Sequence, residues 1–267
     1  MSKKTILKGL AAAGAIALIS SSAQAAIVLD GWQMGATTNI GRLSLTGGTA
    51  TVEQEVNGSG DVFVGAKFAE FGAIYSISYV PENVVGSGDF VSGLPSNLAS
   101  PLTIKFTNVA GFVSNVNANG SFSYAFTSGT ISLFDGAGLT PAADGSIFGI
   151  GGNLLGTVGI SGVNGDSTID ATISTVSIAD FFKDSSGNSL TAALLAGDII
   201  FEAVTNNQVT SVIGAGACSF DGAAACTSFN VNSNGDAFLV QPVPEPASLA
   251  LLGIGLLGLG AVRRRMK

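Results

Sequence analysis

Apolar and polar residues alternate with a period of two along much of this chain. DVFVGAKF (61–68), AIYSISYV (73–80), LTIKFTNV (102–109), SFSYAF (121–126), TISLF (130–134) and DATISTVSI (170–178) all show it, and that period predicts β-strands. Gly, Asn, Asp and Ser clusters separate these runs, as turns between strands require. Helix-period patterns are scarce; VSIADFFK (176–183) and LTAALLAG (190–197) are the two short stretches that predict helix. Strands at this spacing argue for a sandwich or barrel, and about 216 residues between positions 26 and 241 suffice for one core. The expectation is an all-β fold: a single antiparallel β-sandwich-like domain over 26–241 with one or two short helices.

The two ends follow different rules. MSKKTILKGLAAAGAIALISSSAQA opens on three lysines, continues through an apolar stretch from Leu10 to Ile19 and ends in small residues. Ala23-Gln24-Ala25 supplies the small-x-small site that a signal peptidase accepts, so residues 1–25 are expected to be a signal peptide, cleaved before Ala26. The apolar stretch, roughly 15 Å as helix, is too short for a bilayer core of about 30 Å. At the other end, Ala247 to Val262 is an uninterrupted run of sixteen small and apolar residues, roughly 24 Å as helix and marginal for a span. Pro244 and Pro246 disfavour helix before it. Arg263, Arg264 and Arg265 would hold its end on the cytoplasmic side of the inner membrane, with the body outside. Residues 242–267 therefore predict a C-terminal apolar helix able to anchor the chain.

Setting these ends aside changes the charge. The body keeps four cations, Arg42, Lys67, Lys105 and Lys183, against seventeen acids, a net charge of −13 where the whole chain carries −7. Such a surface repels nucleic acid and anionic lipid, and no nucleic-acid partner is expected.

Two motifs carry possible chemistry. Asn115–Gly120 and Asn230–Gly235 both read N-x-N-x-N-G, like the first half of a calcium loop in which alternate side-chain oxygens surround the ion. Neutral amides replace every carboxylate, and the twelfth positions are Phe126 and Gln241 rather than Glu, so calcium at these Asn/Asp-Gly loops would be held weakly. The simpler reading is two hairpin turns, since Asn-Gly accepts the positive φ of a type I′ turn; VNGSGDVFV (56–64) and GVNGDSTID (162–170) read as further turn-then-strand units. Cys218 and Cys226 are the two cysteines of the chain; in an oxidising compartment they predict one disulfide. No cofactor is expected.

Catalytic readings fare poorly. The chain has no histidine, which excludes Ser-His-Asp triads, Cys-His pairs and His-ligated zinc. The G-x-G-x-x-G at Gly253, Gly255 and Gly258 lies inside the apolar C-terminal run, without a strand after it or an acidic partner about twenty residues on. Glu53 and Glu55 share a strand face and invite a glycosidase comparison; a solvated strand face explains them more simply. A Ser-Lys dyad would have to use Lys67, Lys105 or Lys183. Trp32 and Tyr124 could stack on sugars but are better read as core.

Val243-Pro244-Glu245-Pro246-Ala247-Ser248, the run LALLGIGLLGLGAV and the arginines after it closely resemble the PEP-CTERM sorting domain. The resemblance implies a Gram-negative bacterium and an exosortase, a membrane transpeptidase that processes such tails near the motif, with Pro244, Glu245 and Pro246 as the residues it reads. The body, with DVFVGAKFAEFGAIYSISYV, FSYAFTSGTISLFDG and NSNGDAFLV leading into VPEP, resembles flocculation-associated PEP-CTERM proteins. That second resemblance implies a non-enzymatic surface or matrix protein that retains exopolysaccharide in flocs or biofilm. The alternative is a secreted glycan-binding or glycan-hydrolysing protein using body carboxylates. Expected partners are signal peptidase, exosortase, the inner membrane transiently, and exopolysaccharide. The expected destination is the cell surface or medium.

Overall fold

Long antiparallel strands dominate because alternating segments satisfy their backbone groups by pairing with strands near them in the chain, and at the seam with a distant one. The computed structural model describes residues 26–82, 96–136, 140–157 and 160–242. The strands begin with β1 (Ala26–Val28), β2 (Trp32–Met34), β3 (Thr37–Val56), β4 (Lys67–Ile74), β5 (Ser76–Pro81) and β6 (Ser96–Asn97). They continue with β7 (Leu102–Val116), β8 (Phe122–Asp135), β9 (Thr140–Phe148), β10 (Gly151–Leu154), β11 (Asn164–Val176) and β12 (Phe182–Lys183). Helix α1 (Thr191–Ala196), β13 (Ile200–Ala217) and β14 (Ala225–Pro242) complete the order. Val28–Gln241 is one compact unit.

The antiparallel all-β expectation holds, and a single sheet realises it. Strand β3 pairs with β5 through its first half and with β4 through its second, so β4 and β5 act as one strand broken at Tyr75. In the same way β9 and β10 both lie between β8 and β11. The order then runs β3, β4–β5, β7, β8, β9–β10, β11, β13, β14, each antiparallel to the one before. Strand β14 returns to β3 over Ala225–Ala237, which closes the sheet on itself. The closed sheet is an eight-membered barrel, a size whose interior side chains just fill.

Alternation decides what goes inside. Along β3, Ala50, Val52, Gln54 and Val56 are buried while Thr49, Thr51, Glu53 and Glu55 face out. On β14 the outward row is Asn230, Asn232 and Asn234. On these two strands the outward rows are polar, the opposite of a lipid-facing row. The seam is held by ladder bonds, by Thr51 Oγ1 donating to Asn230 Oδ1 at 3.0 Å, and by the Gly47 N–H donating to Asn234 Oδ1 at 3.0 Å. Arg42 and Asp236 form a half-exposed ion pair across it at 3.3 Å, a small contribution in water.

Several local expectations are corrected. DVFV (61–64) is not a strand: Asn57 Oδ1 accepts the Ser59 and Asp61 N–H groups and prolongs the turn, and pairing starts only at Lys67. VSIADFFK (176–183) is not a helix. Asp180 adopts φ 53°, and Phe182 and Lys183 pair with Met34 and Gln33 of β2. This buries Phe181 and Phe182 against Trp32, with ring centroids 5.0 Å apart between the two phenylalanines and 6.4 Å from Phe182 to Trp32. LTAALLAG does form helix α1; Leu194 is buried, and Gly197 at φ 78° ends it by donating to the Leu194 carbonyl. Among the described residues no helix is long and apolar enough to cross a membrane; the apolar run of 247–262 lies outside them.

Candidate functional site

The barrel interior contains an unexpected carboxylate. On β4 the side chains of Phe68 and Glu70 point inward, and Glu70 stands opposite Val52 of β3. Glu70 and Asn207 line two small interior cavities, one of about 50 Å³ with Gln54, Phe68 and Tyr124, the other of about 40 Å³ with Ile104, Phe201 and Ser167. Each can hold ordered water; neither approaches the few hundred Å³ of a pocket for a cofactor-sized ligand.

A hydroxyl and amide cluster faces the carboxyl. Ser167 Oγ and Thr205 Oγ1 share a hydrogen bond of 2.7 Å, Asn207 Nδ2 donates to Ser167 Oγ at 2.9 Å, and Ser233 Oγ donates to Asn207 Oδ1 at 2.7 Å. The Tyr124 hydroxyl donates to the Asp166 carbonyl at 2.9 Å. Gly152 makes room for this, because a Cβ there would overlap the Asp166 carbonyl and crowd the tyrosine hydroxyl. The backbone of Glu70 is paired within the sheet, and its carboxyl enters no hydrogen bond among the described residues. Burial pushes its carboxyl up to about 7. The Tyr124 hydroxyl is also pushed up, first by burial and then by the charge on Glu70. The cluster therefore holds a proton on a carboxyl near neutral pH, in a space sized for water.

A second pair of acids lies across the β11–β13 ladder, where Asp170 and Glu202 face each other. Burial, reinforced by Glu202, pushes the Asp170 carboxyl up to about 6, and burial raises Glu202 as well.

The residues singled out by sequence have distinct fates. Cys218 and Cys226 are disulfide-bonded, with Cα atoms 5.0 Å apart, and tie the end of β13 to the start of β14. Closing so short a loop contributes about 2–3 kcal/mol in the chain-entropy model. A Cys218→Ala/Cys226→Ala variant should lose about that much in urea unfolding, and reduction of the native protein should match it. Glu53 Oε2 accepts the Ser219 N–H beside this loop at 2.9 Å, and Glu55 Oε2 accepts the Lys67 N–H at 2.8 Å. Both carboxylates therefore stitch strands and loops together. Trp32 is fully buried, and Tyr124 points into the barrel.

The two N-x-N-x-N-G copies differ. Asn115–Gly120 makes the β7–β8 hairpin turn, with Gly120 at φ 82° and Asn119 Oδ1 accepting from Ser121. Asn230–Gly235 is no turn: it lies inside β14, hydrogen-bonded to β13 on one side and β3 on the other. Its register shift at Gly235 is a bulge in a central strand.

Ala26 begins β1. Ala23 and Ala25 of the cleavage site lie outside the described residues, as do Pro244, Glu245, Pro246, Arg263, Arg264 and Arg265. Residues 242–265 match the PEP-CTERM protein-sorting motif. That motif implies export, surface sorting in a Gram-negative bacterium and exosortase as the processing partner. No curated protein and no solved structure matches the chain.

Glu70 was missed because KFAEFGAI carries apolar residues on both parities, Phe68 on one and Phe71 on the other. Its one local signal is that the parity placing Phe68 inside also brings Glu70 inside.

Proposed function

We propose that the exported body is a non-enzymatic surface or extracellular-matrix protein that contributes to exopolysaccharide-associated biofilm or floc formation. The sorting motif carries this reading: it begins at residue 242, where the last barrel strand ends, so it directs the whole barrel to the surface. The interior supports it, since cavities of about 50 and 40 Å³ leave the outer wall as the surface for contacts. The tail is a temporary hold in the inner membrane, removed by exosortase near Pro244-Glu245-Pro246 after signal peptidase has acted before Ala26.

Two measurements test it. A deletion strain should lose cell aggregation, and single Asp→Asn or Glu→Gln changes on the outer wall should restore it nearly as well as the unaltered gene. Loss of aggregation in one such variant with normal export would favour a discrete catalytic or binding site. The mass of the mature C-terminus should fall short of Lys267 in cells with exosortase and extend to Lys267 without it; a full-length terminus in both would defeat the processing claim.

A further inference from the structure

Strands β7, β4, β3, β14 and β13 share an open groove of about 540 Å³ on the outer wall. Five adjacent strands span about 19 Å at roughly 4.8 Å per step, so the feature is a trough rather than a socket. Two aromatic rings stand in it largely in solvent: Phe71 is 54% exposed and Tyr75 is 61% exposed. Both project from the β4–β5 segment beside the small floor residue Ala73, which pairs with Thr49 on one side and Lys105 on the other.

The polar groups of the groove divide into used and unused. Thr51 and Asn230 bond each other across the seam. Thr49, Thr107 and Asn232, which also line the groove, enter no side-chain hydrogen bond among the described residues. Lys105 is the sole charged residue of the lining, its Nζ held 4.8 Å from the Phe134 ring centroid. No carboxylate lines the groove, although the body carries −13.

We infer that this groove binds the neutral pyranose chain of a polysaccharide, with sugar faces stacked on Phe71 and Tyr75 and hydroxyls bonded by Thr49, Thr107 and Asn232. Sugar hydroxyls both donate and accept, and so do the threonine hydroxyls and the asparagine amide. Aromatic faces offer large apolar area at low entropic cost. A cation would need the oxygen anions that the groove lacks, and the strongly negative body repels a polyanion. The inference deepens the matrix role proposed above and rests on it only for where the ligand is met.

Native electrophoresis of the purified protein in gels containing hydroxyethylcellulose, dextran or alginate tests it. A neutral polymer should retard the protein, and Phe71→Ala/Tyr75→Ala should weaken that retardation at least about tenfold, the effect of losing a central contact. Thr49→Val or Asn232→Ala should weaken it too while leaving the exposed rings in place, which general stickiness would not explain. Leu155→Ala, at an exposed apolar residue outside the groove, should not change it. No retardation by either neutral polymer, equal loss in the Leu155 variant, or stronger retardation in alginate would overturn the inference. Polymer binding that survives alongside unaltered aggregation of the deletion strain removes the matrix role alone. Lost aggregation without polymer binding removes the groove alone.

Discussion

Glu70→Gln should leave the unfolding free energy nearly unchanged at pH 4 and raise it by on the order of 3 kcal/mol at pH 8. The folded carboxyl is pushed from 4.5 up to about 7 by burial, so between these values the native state holds a proton that the unfolded chain has released. Stability from this group is full below about pH 4.5, falls as pH rises toward 7 and is level above, where the native barrel holds a buried charge. Glutamine has nearly the same shape and no charge, so the pH-dependent loss disappears. Of the groups around Glu70, Gln54 on β3, Asn207 on β13 and Ser233 on β14 are neutral, and Tyr124 on β8 stays protonated. None compensates the charge. Urea midpoints at constant slope, measured at pH 4, 6 and 8, check the prediction; a displacement equal at all three would defeat it. Asp170 and Glu202 lower stability over the same direction of pH and leave a residual slope in the variant.

The other large effect is expected at the aromatic cluster. Phe182→Ala should cost about 3–5 kcal/mol, the range for truncating a fully buried ring. Phe182 packs edge-on to Phe181 and against Trp32, and all three belong to the continuous core. Leu195→Ala in helix α1, where the side chain is 48% exposed, serves as the contrast and should cost far less. Thermal or urea unfolding of the two variants distinguishes them. Comparable small losses would mean that β2, β12 and α1 are attached to the barrel rather than part of its core.

Particular elements show where sequence reading succeeded and why it stopped. The runs 102–109, 122–126, 130–134 and 170–176 are strands because period-two alternation and β-branched residues act locally; the last run stops two residues short of the expected Ile178. The Asn115–Gly120 turn was legible because one residue type accepts the backbone angle it needs. VSIADFFK misled because its apolar spacing suits a helix, while the burial of two adjacent rings against Trp32 selects a tight turn and a short strand instead. The longest strands, β3, β13 and β14, were obscured by their glycines and asparagines, residues disfavoured in strands, which pairing to distant strands holds extended. Asn230–Gly235 reads as a turn in isolation and is a central strand because both its edges are occupied.

By itself the sequence determined the strand-rich composition, the acidic body, the disulfide pair and the sorting tail, since each is a matter of local pattern or count. The tertiary structure alone decided that β3 and β14, about 180 residues apart, pair and close the barrel. That closure sets which parity faces inward. It turns Glu70 inward among hydroxyls and amides, leaves Phe71 on the outer wall, and brings Asn230 and Asn232 beside Thr51 and Thr49. No local rule could show this, because a one-residue change of register exchanges inside for outside, and only the packed core selects between them.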